Sequence, residues 1–408
     1  MVSVSPFKAL RPQPQLAREV ASRPYDVLSV KEAKTEAEGK PSSFLHITRS
    51  EIDLPAGTDV HSAAVYEKAK ENLDAFISRG ILFTENKPCY YIYELEMEGR
   101  QQTGLVCCSS VDDYEKGLIK KHELTRPEKE QDRVDHIKAT QAQTGNVFLA
   151  YRDNDQINEI ITKWKQSKTP VYNFTEDDQI RHSIWTINDE KIIDRVTEIF
   201  KEEIPCTYIA DGHHRIASAA RVKYMLPDHE EAGHFLCTLF PAGQLHIFDY
   251  NRIVKDLNGL TEEEYLNKIK ERFSITKVAN TYKPEKPHHF GMYLNHDWYE
   301  LIALDGTFAT DPVNILDVSI LQNNLLKPVL NIQDQRTDPR IDFIGGIRGM
   351  KELENLVETG EAAVAFSIYP VTIAQLFDIA DSGNIMPPKS TWFEPKLRDG
   401  LLTHLVNE

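Results

Sequence analysis

The stretch "CTYIADGHHRIASAARVKYM", residues 206–225, decides the fold prediction because it reads as a strand that turns directly into a helix. Its first residues suit a buried strand, and the alanine-rich residues after Arg215 allow a helix to pack closely on a sheet. Gly212 lets the backbone approach a ligand at the turn. Since the first N–H groups of a helix lack intrahelical partners and attract anions, the stretch predicts an anion site at a strand-to-helix turn.

Polar side chains crowd this turn. His213, His214 and Arg215 add hydrogen-bond donors, and the planar guanidinium suits bidentate phosphate contact. Asp211 would repel an anion unless it holds Mg²⁺ or accepts a proton from a hydroxyl, two functions that phosphoryl transfer needs. The alternative is that Asp211 caps the helix and that the histidines are solvated. Zinc is disfavoured because neighbouring histidines diverge by about 100° on a helix. We expect Arg215 to be exposed, so that its removal leaves the fold intact.

Two further segments are dense in charged residues. Residues 386–400, "MPPKSTWFEPKLRDG", form a proline-broken loop, and loops that present such groups are often functional. Residues 120–133, "KKHELTRPEKEQDR", mix acids and bases. Both compositions are also those of a solvated surface, so the sequence alone leaves both interpretations open. The first segment offers Lys389, Ser390, Thr391, Lys396 and Arg398, and the second offers His122, Glu123, Arg126, Asp132 and Arg133.

Composition restricts the class of protein. A chain of 408 residues favours two domains, and 41% apolar with 27% charged residues is typical of a soluble globular protein. A net charge of −16 argues against a broad nucleic-acid footprint. No apolar run approaches the roughly 18 residues of a membrane helix, and the amino terminus lacks the apolar core of a signal peptide. The five cysteines form no CxxC pair. We therefore expect a cytoplasmic protein.

Hydrophobic periodicity predicts alternating helices and strands in an α/β or α+β protein with mixed sheets. Helices are expected at 62–79, 191–202 and 261–273, the last with a threonine cap. The proline-rich first 30 residues are expected to be extended. A change in sequence texture places a domain boundary near residue 255. Strands are expected at 89–97, 102–110, 146–153, 182–189, 206–212, 288–294, 299–304, 340–346 and 361–371.

Several motifs together carry a resemblance to a known family. "ADGHHRIASAA", "HELTRPEKEQDR" and "MPPKSTWFEPKLRDGLL", with "PYDVLSVKEA" and "HITRSEIDLP", closely resemble the family catalogued as domain of unknown function 1015 nearly end to end. "DGHHR" and the "PKST" loop are also similar to those of free L-serine kinases of the ParB/sulfiredoxin superfamily. The resemblance implies a ParB/sulfiredoxin-like phosphate-binding domain over residues 1–255 with an insertion at about 40–195. It also implies a second α/β domain over residues 256–408 that closes the active site.

The resemblance also implies roles for individual residues. Asp211 is expected to take part in catalysis and to bind Mg²⁺. The donor phosphates are expected to contact Gly212, His213, His214, Arg215, Lys389, Ser390 and Thr391. The substrate is expected to contact His122, Arg133, Trp392, Lys396 and Arg398.

One departure concerns the second catalytic acid. The kinases carry a glutamate in a "KPHEQ"-like segment after the first strand, where "RPQPQ" here places Pro14. Another acid must therefore replace it, or the activity differs. The candidates are Glu123 and then Asp26, because lysines, His122 and Arg126 would keep Glu123 ionised.

The function that the resemblance implies is transfer of a phosphoryl group to free L-serine, giving O-phospho-L-serine for serine and cysteine metabolism. The donor is pyrophosphate, ADP or ATP, and the sequence shows no adenine-binding signature that chooses between them. One alternative is a ParB-like regulator that binds a nucleotide or DNA without phosphoryl transfer. Another is a nucleotide hydrolase. Turnover with and without L-serine separates the two enzymes, and the oligomeric state stays open.

Overall fold

Two sheets organise the chain, and each belongs to its own unit. The computed structural model describes residues 1–407. The first unit contains residues 1–245 and the residues from 395 onward, and the second unit contains residues 246–394.

The division differs from the predicted boundary near residue 255. The chain leaves the first unit after Leu245 and returns to it at Pro395. Lys396 and Arg398 therefore lie in the first unit and not in a domain of residues 256–408. The boundary was misplaced because the return depends on pairing between distant segments, which local sequence texture does not reveal.

The mixed α/β class is confirmed, with strands distributed along the whole chain. The strands are β1 (Val4–Ser5), β2 (Leu10–Pro12), β3 (Leu82–Thr84), β4 (Tyr90–Met97), β5 (Arg100–Ser110), β6 (Ile119–Lys120), β7 (Ala142–Gln143), β8 (Val147–Tyr151), β9 (Tyr172–Thr175), β10 (Arg181–Ile187), β11 (Thr207–Asp211), β12 (His234–Pro241), β13 (Ile247–Phe248), β14 (Tyr250–Val254), β15 (Phe273–Val278), β16 (His289–Leu294), β17 (Asp297–Ala303), β18 (Ile341–Gly345), β19 (Val364–Ile368), β20 (Trp392–Phe393) and β21 (His404–Leu405).

Helices connect most of these strands. They are α1 (Ala17–Val20), α2 (Val30–Ala37), α3 (Leu45–Thr48), α4 (Ala63–Ser78), α5 (Val111–Glu115), α6 (Pro127–Thr140), α7 (Asp155–Ser167), α8 (Glu190–Glu203), α9 (His213–Met225), α10 (Glu262–Ile269), α11 (Asp317–Leu321), α12 (Met350–Glu358) and α13 (Ile373–Asp381). Within residues 1–407, none of the helices combines the length and the apolarity needed to cross a bilayer.

The large sheet of the first unit places β11 in its interior. Its strand order is β6-β11-β8-β12-β5-β4-β10-β9, and β1 pairs with β5. The pairs β6–β11 and β8–β12 are parallel, whereas β8–β11 and β5–β12 are antiparallel. Apolar residues of the strands and of α9 are buried together, among them Leu149, Ile209, Ile216 and Leu239. Hydrophobic burial thus fixes the strand end that leads into Asp211.

Residues 40–195, which the resemblance predicted to be an insertion, build much of this sheet. They supply β4, β5, β6, β8, β9 and β10. They also supply α6, which packs along α9, and Ser218 Oγ donates a hydrogen bond of 3.0 Å to the carbonyl oxygen of Glu130. The segment is therefore part of the architecture around the "DGHHR" turn.

The local predictions succeed where periodicity is strong. α4 and α8 lie at the predicted positions. α10 begins after Thr261 with a capping box to Glu264 but ends before the predicted residue 273, because the chain there joins β17 as β15. The prediction that the first 30 residues are extended was wrong in part. Pro14 opens a 3₁₀ turn, which the fixed φ of proline permits at the first helical position.

The second unit has an antiparallel sheet of its own, in the order β15-β17-β16-β19-β14-β18. β13 and β20, at the two ends of the unit, pair with each other in antiparallel register, with Ile247 opposite Phe393. The two points at which the chain enters and leaves this unit are therefore held side by side.

Candidate functional site

The "DGHHR" segment forms a tight turn between β11 and α9. Gly212 is the N-cap of α9 and has a φ of 100°. A Cβ atom at this position would lie 3.2 Å from Cζ of Arg215 and 3.3 Å from Cα of Val147, so only glycine fits without strain. Since glycine has no side chain to cap the helix, the first N–H groups of α9 keep their capacity to bind an anion.

Asp211 lies between two cations at this turn. Lys396 Nζ donates a hydrogen bond of 3.1 Å to Asp211 Oδ2, and Arg215 Nη2 lies 3.5 Å from the same oxygen. Burial favours the neutral acid, but the charges of Lys396 and Arg215 outweigh it and lower the pKa of Asp211. The Asp211 side chain is 32% exposed. It is therefore an ionised carboxylate that a ligand can reach.

Arg215 is buried and contacts several groups of the site, so the expectation that it is exposed was wrong. Its side chain is only 11% exposed. Its guanidinium donates to the carbonyl oxygen of Asn146 and lies 3.5 Å from both Asp26 and Asp211. Burial lowers the pKa of Arg215, but these two acids more than offset that effect and raise it. Arg215 therefore balances the charge of the site, and its removal should affect folding.

The histidines of the turn are neutral. The backbone N–H of His122 donates to His213 Nε2 at 3.4 Å, and the backbone N–H of Arg126 donates to His214 Nε2 at 3.0 Å. Burial lowers the pKa of both rings. Burial also lowers the pKa of His122, to about 4, and its ring packs edge-to-face on His213 at 4.6 Å. The positive charge that the site offers to a phosphate therefore comes from Arg215 and Lys396.

Both candidates for the second acid lie beside this cluster. Asp26, in the 3₁₀ turn Tyr25–Val27, contacts Arg215 and has a side chain that is 35% exposed. Glu123 Oε2 lies 3.9 Å from His213 Nδ1, and its side chain is 44% exposed. The structure thus brings together three acids that the sequence selected from distant segments, 26, 123 and 211.

Asp399 is a member of the cluster that the sequence analysis missed. It is buried, and its Oδ2 accepts a hydrogen bond of 3.3 Å from the backbone N–H of Tyr25. Its backbone also pairs with Ser22 in both directions. Burial raises the pKa of Asp399 to about 7, although Arg215 opposes this. The signal that could have found it is its place in "KLRDG", directly after Arg398 in the loop that was already selected.

The raised pKa of Asp399 predicts a measurable pH dependence. Since the folded state holds the proton more tightly than the unfolded chain, this group stabilises the fold fully below about pH 4 and loses that contribution as the pH rises to about 7. Asp399→Asn keeps the neutral shape, so its stability relative to the parent should rise by on the order of 2–4 kcal/mol over this range. Urea unfolding at several pH values measures the difference. Asp177→Asn, at a side chain that is 83% exposed, should track the parent, and a parallel course for Asp399→Asn would contradict the assignment.

Two predicted substrate residues lie in the first unit but outside this turn. Arg133 is buried on α6, donates through Nε and Nη2 to Asp132, and stacks over the ring of Tyr25 at 3.9 Å. Arg398 pairs with Asp178, and its backbone N–H donates to the Tyr93 hydroxyl at 3.3 Å. Arg133 therefore neighbours the turn that carries Asp26, whereas Arg398 anchors a separate polar cluster.

The "PKST" loop belongs to the second unit. Lys389 has a φ of 56°, and its Nζ lies 5.6 Å from the centre of the Tyr250 ring. Ser390 is buried and donates to the carbonyl oxygen of Pro387 at 2.7 Å, and Thr391 is half-buried. The Trp392 ring meets Tyr250 edge-to-face at 5.0 Å. The loop is thus ordered by its own unit, and its role towards donor and substrate stays a prediction.

The site suits Mg²⁺ only as an ion shared with a phosphate ligand. Within the part of the chain that the structure describes, no group of three or more His, Cys, Asp or Glu side chains could hold a metal ion. Mg²⁺ is usually bound by one or two carboxylates together with substrate phosphates. Asp211, ionised and partly exposed, fits as the single protein carboxylate of such an arrangement.

Comparison with solved structures gives weak similarity. A mutant free serine kinase in complex with AMP matches with a TM-score of 0.38 and 12% identity over 71% of this chain and 87% of its own. A conserved hypothetical protein from Pyrococcus furiosus matches with a TM-score of 0.38 and 13% identity over 74% of this chain and 95% of its own. SbnI with a carboxy-terminal truncation, from Staphylococcus aureus, matches with a TM-score of 0.35 and 10% identity over 74% of this chain and 87% of its own. At such scores the likeness carries no argument about this chain's activity.

Comparison with protein families gives a clear result, although no curated protein matches the sequence. The family described as "Protein of unknown function (DUF1015)" matches residues 4–319. This range includes the whole of β11, Gly212 and α9. The chain belongs to the DUF1015 family.

Proposed function

We propose that this protein is a phosphotransferase that converts free L-serine to O-phospho-L-serine. The observation that carries the proposal is the ionised, partly exposed Asp211 between Arg215 and Lys396, at the uncapped amino terminus of α9. An anion site beside a reachable carboxylate is what transfer of a phosphoryl group to a hydroxyl requires. The resemblance of "DGHHR" and "PKST" to free L-serine kinases supplies the acceptor.

The chemistry assigns one task to each group. The serine hydroxyl oxygen forms a bond to the transferred phosphorus while the bond from that phosphorus to the bridging oxygen of the donor breaks. The hydroxyl proton passes to a carboxylate. Phosphate, AMP or ADP leaves, according to whether the donor is pyrophosphate, ADP or ATP. Arg215, Lys396 and the N–H groups of α9 hold the donor phosphates, and Mg²⁺ on Asp211 would neutralise charge on the leaving oxygen.

Further features support the setting of this reaction. All five cysteines are free, which suits a reducing compartment, and we place the reaction in the cytoplasm, where it would supply serine and cysteine metabolism. The net charge of −16 disfavours a nucleic-acid partner.

Measurement of phosphoserine formation from L-serine with pyrophosphate, ADP and ATP in parallel tests the proposal. Product with at least one donor supports it. Donor breakdown that does not depend on L-serine would identify a hydrolase. Donor binding with no turnover under any of these conditions would identify a regulator and overturn the proposal.

The role of Glu123 can be tested separately. Glu123→Gln keeps the size of the side chain but removes the charge that faces His213 Nδ1 at 3.9 Å. If Glu123 accepts the serine proton, kcat should fall by about a hundredfold or more, with donor affinity unchanged by calorimetry. Glu71→Gln, at a side chain that is 69% exposed on α4, is the matched control. A parent-like rate for Glu123→Gln would leave Asp26 as the acid to test.

A further inference from the structure

A cavity of about 350 Å³ opens beside Asp26 and His214. Its walls come from the turn at Tyr25, the segment after α3, the start of α4 and one face of α6. Ligand pockets for small molecules begin at about this size. The side chains that line it include Asp26, Val60, Glu128, Lys129, Asp132 and Arg133.

The charges on the cavity wall select the kind of ligand. Arg133 and Asp132 form an ion pair of 2.7 Å, and this pair uses only Nε and Nη2 of the guanidinium. Lys129 and Glu128, both exposed on α6, add one cation and one acid. Arg49 and Glu51, an ion pair of 2.6 Å, also line the cavity, so that three Lys or Arg side chains stand beside four carboxylates. This near balance gives a ligand with one positive and one negative group a partner for each, whereas it does not match the repeated negative charge of a polyphosphate.

Asp26 connects this cavity to the phosphate site. Its carboxylate is part of the cavity wall and lies 3.5 Å from Arg215 Nη2, and the same nitrogen lies 3.5 Å from Asp211. A hydroxyl group that is hydrogen-bonded to Asp26 is therefore separated from Asp211 only by the guanidinium of Arg215, which is proposed to bind the donor phosphates. A hydroxyl acceptor needs such a base, whereas the nucleoside part of a donor does not.

We propose that this cavity binds the acceptor, as a zwitterionic hydroxy amino acid, and that Asp26 accepts its hydroxyl proton; the inference rests on the proposed function. Arg133 Nη1 and Lys129 face the carboxylate, and Glu128 faces the ammonium. The acceptor oxygen bonds to phosphorus as the bond to the bridging oxygen of the donor breaks, the proton moves to Asp26, and the donor remnant leaves. Asp26 thereby takes precedence over Glu123 as the base.

The size of the cavity extends the range of acceptors. A pocket of about 350 Å³ leaves room around a three-carbon amino acid. L-homoserine should therefore be phosphorylated as well, with a kcat/KM that is lower than the value for L-serine by no more than about 200-fold, the upper limit of the discrimination that one methylene usually gives.

Filling the cavity tests its occupant. Val60 is a half-buried wall residue, and Val60→Trp should raise the KM for L-serine at least about tenfold while the KM of the donor changes less than about twofold. Val30→Trp, at a residue that is 41% exposed and outside the cavity, is the control and should leave both constants unchanged. Calorimetry with L-serine alone on the full chain gives a readout that does not depend on turnover.

The outcomes separate this inference from the proposed function. Phosphoserine formation that Val60→Trp does not alter would overturn the cavity assignment and leave the function standing. A raised KM for the donor alone would overturn it in favour of a nucleoside pocket. L-serine binding that Val60→Trp abolishes, in a protein that forms no phosphoserine, would support the cavity and overturn the function.

Asp26→Asn tests the base directly. It should lower kcat by about a hundredfold or more with little change in the calorimetric affinity for L-serine. Asp74→Asn, at a side chain that is 61% exposed on α4, serves as the control. A parent-like kcat for a folded Asp26→Asn protein would overturn the role of Asp26.

Discussion

Asp211→Asn is expected to lower phosphoserine formation by about a thousandfold or more while the protein stays folded and keeps most of its donor affinity. Asparagine has nearly the same shape but carries no negative charge. It therefore cannot balance the charge of Mg²⁺ or the positive charge that develops on the serine hydroxyl. The side chain is also 32% exposed, so the substitution places no unpaired group in the core. Donor affinity should survive because Arg215, Lys396 and the N–H groups of α9 remain.

The comparison that isolates this effect is Asp228→Asn, an exposed acid just beyond the carboxyl end of α9. It should keep the parent rate. Phosphoserine formation and donor calorimetry on both variants provide the measurement. An Asp211→Asn protein that retains more than about a tenth of the parent rate would show that Asp211 is not needed for the chemical step.

Arg215→Ala is expected to destabilise the first unit by about 1–3 kcal/mol at neutral pH. The buried carbonyl oxygen of Asn146 loses its donor, and Asp26 and Asp211, each about a third exposed, lose a counterion. Asp26 and Asp211 each lie 3.5 Å from this guanidinium. Against the effect of burial, Lys396 and then Arg215 lower the pKa of Asp211. The contribution of the Arg215–Asp211 contact is therefore present above the ordinary carboxyl pKa and is lost as the pH falls. The deficit of the variant should therefore shrink below about pH 4.

Denaturant unfolding of the full chain at pH 7 and in the acid range provides the measurement. Arg221→Ala lies on the same helix, where its guanidinium contacts Gln131 and Glu130 and its side chain is 36% exposed. It should cost less than about 1 kcal/mol. Two results would contradict the role of Arg215 as the counterion of Asp26 and Asp211. One is an equal loss of unfolding free energy for the two arginine variants, and the other is a loss for Arg215→Ala that does not change with pH.

Local features of the fold could be predicted because they depend on neighbouring residues. Alternation in 89–97 and helical spacing in 191–202 specify β4 and α8 without knowledge of their partners. The helix α6 was missed as an element because charged residues make up half of its sequence and weaken the periodic signal. Partner choice could not be predicted, since the pairing of Leu10 with Thr403 joins the two ends of the chain.

The candidate site follows the same rule. Asp211, Gly212 and Arg215 were selected from one continuous segment because strand, turn and helix start are local properties. Their environment was not predictable in the same way. The buried position of Arg215 depends on Asn146 and Asp26, and the lowered pKa of His213 depends on its burial and on the neighbouring His122 ring. Such contacts come from tertiary packing, which a single sequence motif does not predict.

The paired ends of the second unit have a consequence for the order of folding. Completion of the first unit needs contacts such as Ser22 with Asp399, and these close a loop that contains all of residues 246–394. Loop closure costs more entropy as the loop lengthens. If the second unit folds first, the β13–β20 pair holds residues 247 and 393 next to each other. The loop that remains to be closed is then effectively shorter by the length of the second unit. We therefore expect the second unit to fold early, and the Lys396–Asp211 contact, which completes the site, to form last.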